Sequence, residues 1–120
     1  MTIQVLIADD HAILREGLRS ALEMQPDICI VGEASDGYEA IGKMVQTNPD
    51  IIVMDISMPD LNGIEATRQI LERSPQARVI ILSMHSSAEF VFRALQLIVG
   101  SPEFFFHLFF ISDVSQRYYH

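Results

Sequence analysis

Residues 48–63 read NPDIIVMDISMPDLNG. Ile51–Met54 is an unbroken apolar run between Asp50 and Asp55, and Pro59 and Asn62-Gly63 then mark a loop. An apolar run this short, without polar alternation, predicts a strand buried on both faces, as in a parallel sheet covered by helices. Similar runs lie to either side. Ile3–Ala8 stops at Asp9 and Asp10, Ile28–Val31 follows Gln25-Pro26-Asp27, and Val79–Leu82 is followed by Ser83. The segments between them have helical spacing. Leu14, Leu18, Ala21 and Leu22 form one face of a helix over Ala12–Met24. Ile41, Met44 and Val45 mark a second helix, between the Asp36-Gly37 turn and Asn48-Pro49. Ile64–Arg73 is a third, closed by Ser74-Pro75, and Ser86–Leu97 a fourth.

Strand and helix thus alternate with short connections, which predicts an α/β fold: a doubly wound parallel sheet with helices on both faces. A chain of 120 residues is one domain, long enough to bury a core without staples. Its 16 acidic and 8 basic residues give a net charge of −8, which repels phosphate backbones and argues against nucleic-acid binding by this chain alone. The single cysteine, Cys29, sits in an apolar run and is expected to be a buried core thiol. One cysteine permits no intrachain disulfide, which suits a reducing cytoplasm. The start, MTIQVLIADDH, lacks the basic segment of a signal peptide. No uncharged apolar run reaches the ~18 residues of a membrane span, so no membrane association is expected.

In open α/β sheets, sites form beyond the carboxyl ends of the strands. The first strand ends in Asp9-Asp10, the third in Asp55 and the fourth in Ser83. If those strands are neighbours, three carboxylates and a hydroxyl converge on one cleft. Two carboxylates ~4 Å apart repel by about 4 kcal/mol at an effective dielectric near 20, so such a cluster calls for a proton or a cation. Oxygen donors suit a hard divalent ion, and Mg²⁺ is the usual one where phosphate is also present. One carboxylate beside that ion can act as a nucleophile toward a phosphoryl group. Taken singly, each residue has a plainer role. An Asp at a strand end is usually a turn or cap residue, Ser83 a cap for the next helix, and His11 a surface residue at a helix start without a partner His. Asp50 only begins its strand. The three carboxylates together carry the functional reading.

The segments VLIADDH, PDIIVMDISMPDLNGIEAT and VIILSMH resemble the response-regulator receiver domain, and more narrowly its NarL/FixJ type, whose members carry a C-terminal LuxR-type helix-turn-helix. The resemblance covers roughly residues 3–96. Its most specific element is an Asp followed by Met-Pro at the third and fourth positions and Gly at the eighth. It implies a flavodoxin-like fold with strand order 2-1-3-4-5. It also implies that Asp55 is the phosphoacceptor, that Asp10 binds Mg²⁺ directly, with Asp9 helping directly or through water, and that the Ser57 backbone carbonyl is a further metal ligand. Ser83 becomes the switch hydroxyl, and Pro59 and Gly63 shape the loop after the acceptor. The implied donor is a partner histidine kinase or a small phosphodonor. Such a domain is a signalling module, not an enzyme, and acts on DNA only through a helix-turn-helix that this sequence does not contain.

Beyond Gln96 the pattern departs from the family, which continues with a fifth strand ending in Lys and a fifth helix. The sequence here is LIVGSPEFFFHLFFISDVSQRYYH, and the chain's single lysine is Lys43. No phosphate-pairing lysine is therefore expected. GSPEF resembles translated cloning-linker sequence, so residues 1–96 are read as a receiver domain truncated near residue 96, and 97–120 as a non-family, vector-encoded tail. The native fifth strand and helix are then missing or replaced, leaving the fourth strand as an open edge. The tail either substitutes as a fifth strand or pairs chains. Self-association through the edge or the apolar 104–111 segment is the outcome expected, with impaired phosphorylation. Two alternatives stand beside this reading. An aspartyl-phosphate hydrolase of the haloacid-dehalogenase type wants a second Asp where Ser57 stands, and an interaction module would keep the fold without phosphorylation. A dinucleotide-binding reading lacks its Gly-rich turn after the first strand.

Overall fold

The computed structural model describes residues 2–83 and 108–112. Its elements in chain order are β1 (Ile3–Ala8), α1 (Ala12–Glu23), β2 (Ile28–Ala34), α2 (Gly37–Thr47), β3 (Ile51–Asp55), α3 (Gly63–Arg73), β4 (Arg78–Ser83) and β5 (Leu108–Ser112). The strands form one sheet in the order β2-β1-β3-β4-β5, and every neighbouring pair is parallel. This is the doubly wound α/β arrangement that the apolar runs predict. The fourth helix expected over 86–97 lies outside the described residues. Among the described residues no helix is long and apolar enough to cross a membrane.

The two faces of the sheet carry separate cores, because successive residues of a strand point to opposite sides. Val5, Ile7, Ile51, Val53, Ile80 and Leu82 share one cluster with Leu18 and Leu22 of α1. Leu6, Ala8, Ile52, Met54, Val79 and Ile81 face the other way, among Ala40, Ile41 and Met44 of α2 and Ala66 and Ile70 of α3. All five residues of β3 are buried, as a central strand covered on both sides requires. Helix starts follow local chemistry. Asp36 caps α2 by accepting from the Glu39 N–H, and Asn62 caps α3 by accepting from the Glu65 N–H. α2 ends at Asn48, whose left-handed conformation (φ 46°) suits the C-terminal cap position.

Several sequence-based expectations need correction. Cys29 is exposed, not buried. β2 is an edge strand, and its alternation sends Ile28 and Ile30 into the α1-side core and Cys29 to the opposite face. Of the four apolar positions in α1, Leu18 and Leu22 are buried, while Ala21 is half-buried and Leu14 is exposed. Val45 likewise faces solvent while Ile41 and Met44 enter the core. β2 runs to Ala34, three residues beyond the expected Val31.

Of the two outcomes expected for the tail, a fifth strand within the chain is the one observed. β5 pairs with β4 over its whole length, from Val79 opposite Leu108 to Ser83 opposite Ser112. The β4 edge is therefore covered by a segment of the same chain. An extended segment of β-prone residues can complete a ladder with its backbone alone, and that satisfies the edge without a second molecule. The sheet is thus five-stranded, with β5 at its edge.

Candidate functional site

Strand order decides where the chemistry collects. With β1 next to β3 and β3 next to β4, the strand ends bearing Asp9-Asp10, Asp55 and Ser83 lie side by side. Asp55 pairs with Leu82, the Ile56 N–H donates to the Leu82 carbonyl (3.0 Å), and Ser83 is one residue further along β4. The chain is held equally firmly where it leaves β1, since the Asp9 N–H donates to the Ala34 carbonyl at 2.9 Å.

At this end of the sheet Asp9, Asp10, His11 and Asp55 each offer a ligand atom, all within 4.8 Å of one another. Asp9 and Asp55 are buried, and Asp10 and His11 are exposed. The Asp9 carboxylate is fixed by the His11 backbone N–H, which donates to Oδ1 at 2.8 Å. The Asp55 carboxylate accepts from the Ser57 N–H at 3.3 Å. Burial pushes the Asp55 carboxyl up to about 6, and the charges of Asp9 and Asp10 push the same way against the Ser57 N–H and His11. A buried carboxyl beside two others resists ionisation because each added charge lacks both water and a counter-ion.

His11 answers part of that need. Its Nδ1 lies 3.1 Å from Asp9 Oδ1, 3.0 Å from Asp10 Oδ1 and 4.0 Å from Asp55 Oδ2. The hydrogen bond to Asp9, and then the charge of Asp10, raise its pKa above the ordinary value. Sequence alone makes His11 a surface residue at a helix start; the structure sets it against all three carboxylates. The available signal is its position directly after the acidic pair, at the start of α1.

The loop after Asp55 is shaped by backbone contact. The Gly63 N–H donates to the Ile56 carbonyl at 2.9 Å, and a Cβ on Gly63 would lie 2.0 Å from the Asp55 carbonyl oxygen. Only glycine lets α3 begin this close to the end of β3. The Pro59 carbonyl accepts from the Leu61 N–H at 2.7 Å, and Asp60 between them takes a positive φ of 66°. Ser57 is exposed in the same loop. Asp50 lies at the opposite end of β3, where its Oδ2 accepts from the Gln4 N–H.

Three carboxylates and an imidazole on one small patch form a donor set that fits a hard divalent cation. In a parallel α/β sheet the carboxyl edge is where ligand sites form, and this patch lies there. The family model of the response regulator receiver domain matches residues 5–100. The chain is 46% identical over 101 residues to the response regulator protein VraR of Staphylococcus aureus, covering 84% of this chain and 48% of that protein. It is 42% identical over 94 residues to the transcriptional regulatory protein DegU of Brevibacillus brevis, covering 78% and 40%. A crystal structure of a LuxR-family two-component response regulator from Aurantimonas sp. SI85-9A1 matches 98% of this chain and 94% of its own, with TM-score 0.72 and 31% identity. The response regulator domain of Thermotoga maritima CheB matches 80% and 72%, with TM-score 0.67 and 43% identity. The chain belongs to the response regulator receiver domain family. It spans less than half the length of the two curated relatives.

Proposed function

We propose that this chain is the phosphoacceptor module of a two-component response regulator, with Asp55 as acceptor. The observation that carries the reading is the convergence of the Asp9, Asp10 and Asp55 carboxylates at the carboxyl edge of the sheet. Asp55 ends the central strand β3, and its carboxylate oxygen attacks phosphorus. A new O–P bond forms as the bond to the donor's leaving atom breaks, and that atom departs with the electron pair. Asp10 would hold Mg²⁺ directly, with Asp9 assisting and the Ser57 carbonyl as a further ligand. When bound, the ion supplies neutralisation of the phosphoryl oxygens during transfer. Ser83, at the end of β4, is the hydroxyl that would meet the phosphoryl oxygen, and Pro59 and Gly63 keep the loop clear of the acceptor. The donor is a sensor histidine kinase or a small phosphodonor in the cytoplasm. DNA control would require a helix-turn-helix outside these 120 residues.

Residues 1–96 carry this module in our reading, and 97–120 are foreign to it. β5 contributes LFFIS, which contains no lysine, and Lys43 belongs to α2. A hydrogen bond to a charged group contributes ~1.5–3 kcal/mol, so its loss slows phosphorylation by about 10- to 100-fold while sparing nucleophile and metal ligands. The missing lysine also favours a second reading, an interaction module that keeps the fold without being phosphorylated. Incubation with acetyl phosphate and Mg²⁺, followed by intact mass, separates the two. Slow, partial addition of one phosphoryl group, abolished in Asp55→Asn, is the expected result. No addition would favour the interaction module, and rapid stoichiometric addition would refute the impairment.

A further inference from the structure

Beside the acidic cluster runs an ion-pair network that the reading above does not use. Arg15 sits half-buried one turn into α1. Its Nη1 donates to the Asp9 backbone carbonyl at 2.5 Å, and its Nε donates to Glu33 Oε1 at 2.9 Å. Glu33 is on β2, opposite Ile7 in the β1–β2 register. Its other oxygen accepts from Arg19 Nη1, one turn further along α1, and Arg19 Nε reaches Glu23 at 3.3 Å. Although burial opposes it, the hydrogen bonds from Arg19 and Arg15 hold the Glu33 carboxyl below its ordinary range. Glu33 is thus an ionised anchor gripped at both oxygens, and Arg15 bridges from it to the Asp9 carbonyl with two of its nitrogens.

The consequence falls on the residue next to the anchor. The peptide before the Asp9 Cα is held by Ala34 through the Asp9 N–H, and the peptide after it by Arg15 through the Asp9 carbonyl. The second peptide links Asp9 to Asp10, so its plane sets the direction in which the Asp10 backbone, and with it the carboxylate, leaves β1. We propose that Arg15, locked by Glu33, is a positioning residue for the metal site: it fixes the Asp9–Asp10 peptide and thereby the aim of the Asp10 carboxylate. The inference rests on the reading of this cluster as a Mg²⁺ site. It makes a prediction opposite to that of simple charge. Removing a cation beside three carboxylates should tighten Mg²⁺ binding if only the field matters. Removing the peptide's anchor should weaken it.

The test is calorimetric titration of the full chain with MgCl₂ at pH 8, with urea unfolding of each variant in EDTA. Outer groups that orient metal ligands typically change affinity 10- to 100-fold. Arg15→Met keeps most of the apolar stem and should weaken Mg²⁺ binding by about tenfold. Arg19→Met, which touches Glu33 but not Asp9, should change it by less than about twofold. Arg15→Lys can meet the carbonyl or Glu33 but not both in fork geometry, and should restore binding only in part. Unchanged or tighter binding by Arg15→Met overturns the inference, as does equal weakening by Arg19→Met. Should Arg15→Met fail to fold, Arg15→Lys decides the matter, since it keeps the charge and loses the two-armed contact: weakened binding supports the role and unchanged affinity overturns it. Absence of Mg²⁺ binding by the unsubstituted chain overturns the metal reading and this inference with it.

Discussion

Substituting Asp55 by asparagine should stabilise the fold at neutral pH and leave it almost unchanged in acid. The folded-state pKa of Asp55 is raised from 3.8 to about 6, chiefly by burial and then by the charge of Asp9. The folded protein therefore binds this proton more tightly than the unfolded chain. The contribution of the group to stability is fully present below the unfolded value of 3.8 and is lost as pH rises through about 6. The shift of roughly two units corresponds to about 3 kcal/mol, at 1.36 kcal/mol per unit, and Asp55 is only 5% exposed, so little of it is screened. The asparagine side chain carries no charge and escapes the loss. The difference between variant and unsubstituted chain should be near zero at pH 4 and reach about 3 kcal/mol in favour of the variant by pH 7.5.

Urea unfolding followed by far-ultraviolet circular dichroism measures this, at a series of pH values between 4 and 8 in EDTA. Titrating groups elsewhere are common to both proteins, so the difference reports Asp55 together with the neighbours it couples to, Asp9, Asp10 and His11. Saturating Mg²⁺ should then close most of the gap, since a ligand at 100 times its Kd stabilises the form that binds it by about 2.7 kcal/mol. A variant whose advantage does not grow between pH 4 and pH 7.5 would refute the argument that clustered, buried charge strains this site.

Other substitutions probe the scaffold and the chemistry. Gly63→Ala would place a methyl group 2.0 Å from the Asp55 carbonyl oxygen and should destabilise by at least about 1–3 kcal/mol in urea unfolding. Wild-type stability would show that the β3–α3 junction can open. The Thr67 hydroxyl is buried with no partner among the described residues, so Thr67→Val should stabilise by about 1 kcal/mol by the same measurement. A loss of stability would reveal a hydrogen bond there. Ser112→Lys puts an ammonium on β5 at the position paired with Ser83, and should speed acetyl-phosphate labelling of Asp55 by about tenfold or more. No change in rate would show that the strand's register does not deliver the side chain to the acceptor.

How much of this is legible in the sequence depends on what kind of information each feature needs. β3 can be read because burial on both faces leaves an unbroken apolar run, and Asp55 because a charge ends that run. Asp9 and Asp10 are readable for the same reason. Cys29, Leu14 and Val45 are misplaced by sequence because apolar character says that a residue tolerates burial, while only the packed structure says which side is covered. Arg15 and Glu33 escape altogether. They stand 18 positions apart, and their meeting depends on the β1–β2 register together with the placement of α1. His11 is half legible: its contacts with Asp9 and Asp10 are local, while its approach to Asp55 depends on where β3 ends.

The tail marks the same boundary from the other side. A strand joins an edge through backbone N–H and carbonyl groups, which every non-proline residue carries, so the ladder requires only an extended segment of suitable propensity. Leu108–Ser112 meets that condition, and β4 gains a parallel neighbour although LFFIS contains no lysine. A charged partner for a phosphoryl group, as the proposed function would use, is by contrast a side-chain property of one position. Fold completion is thus tolerant of sequence where the chemistry is not. A chain can therefore keep the receiver sheet and its three converging carboxylates while lacking a group that the proposed phosphoryl transfer would use. That separation is why the acetyl-phosphate rate, rather than any measure of folding, is the quantity on which the proposed function turns.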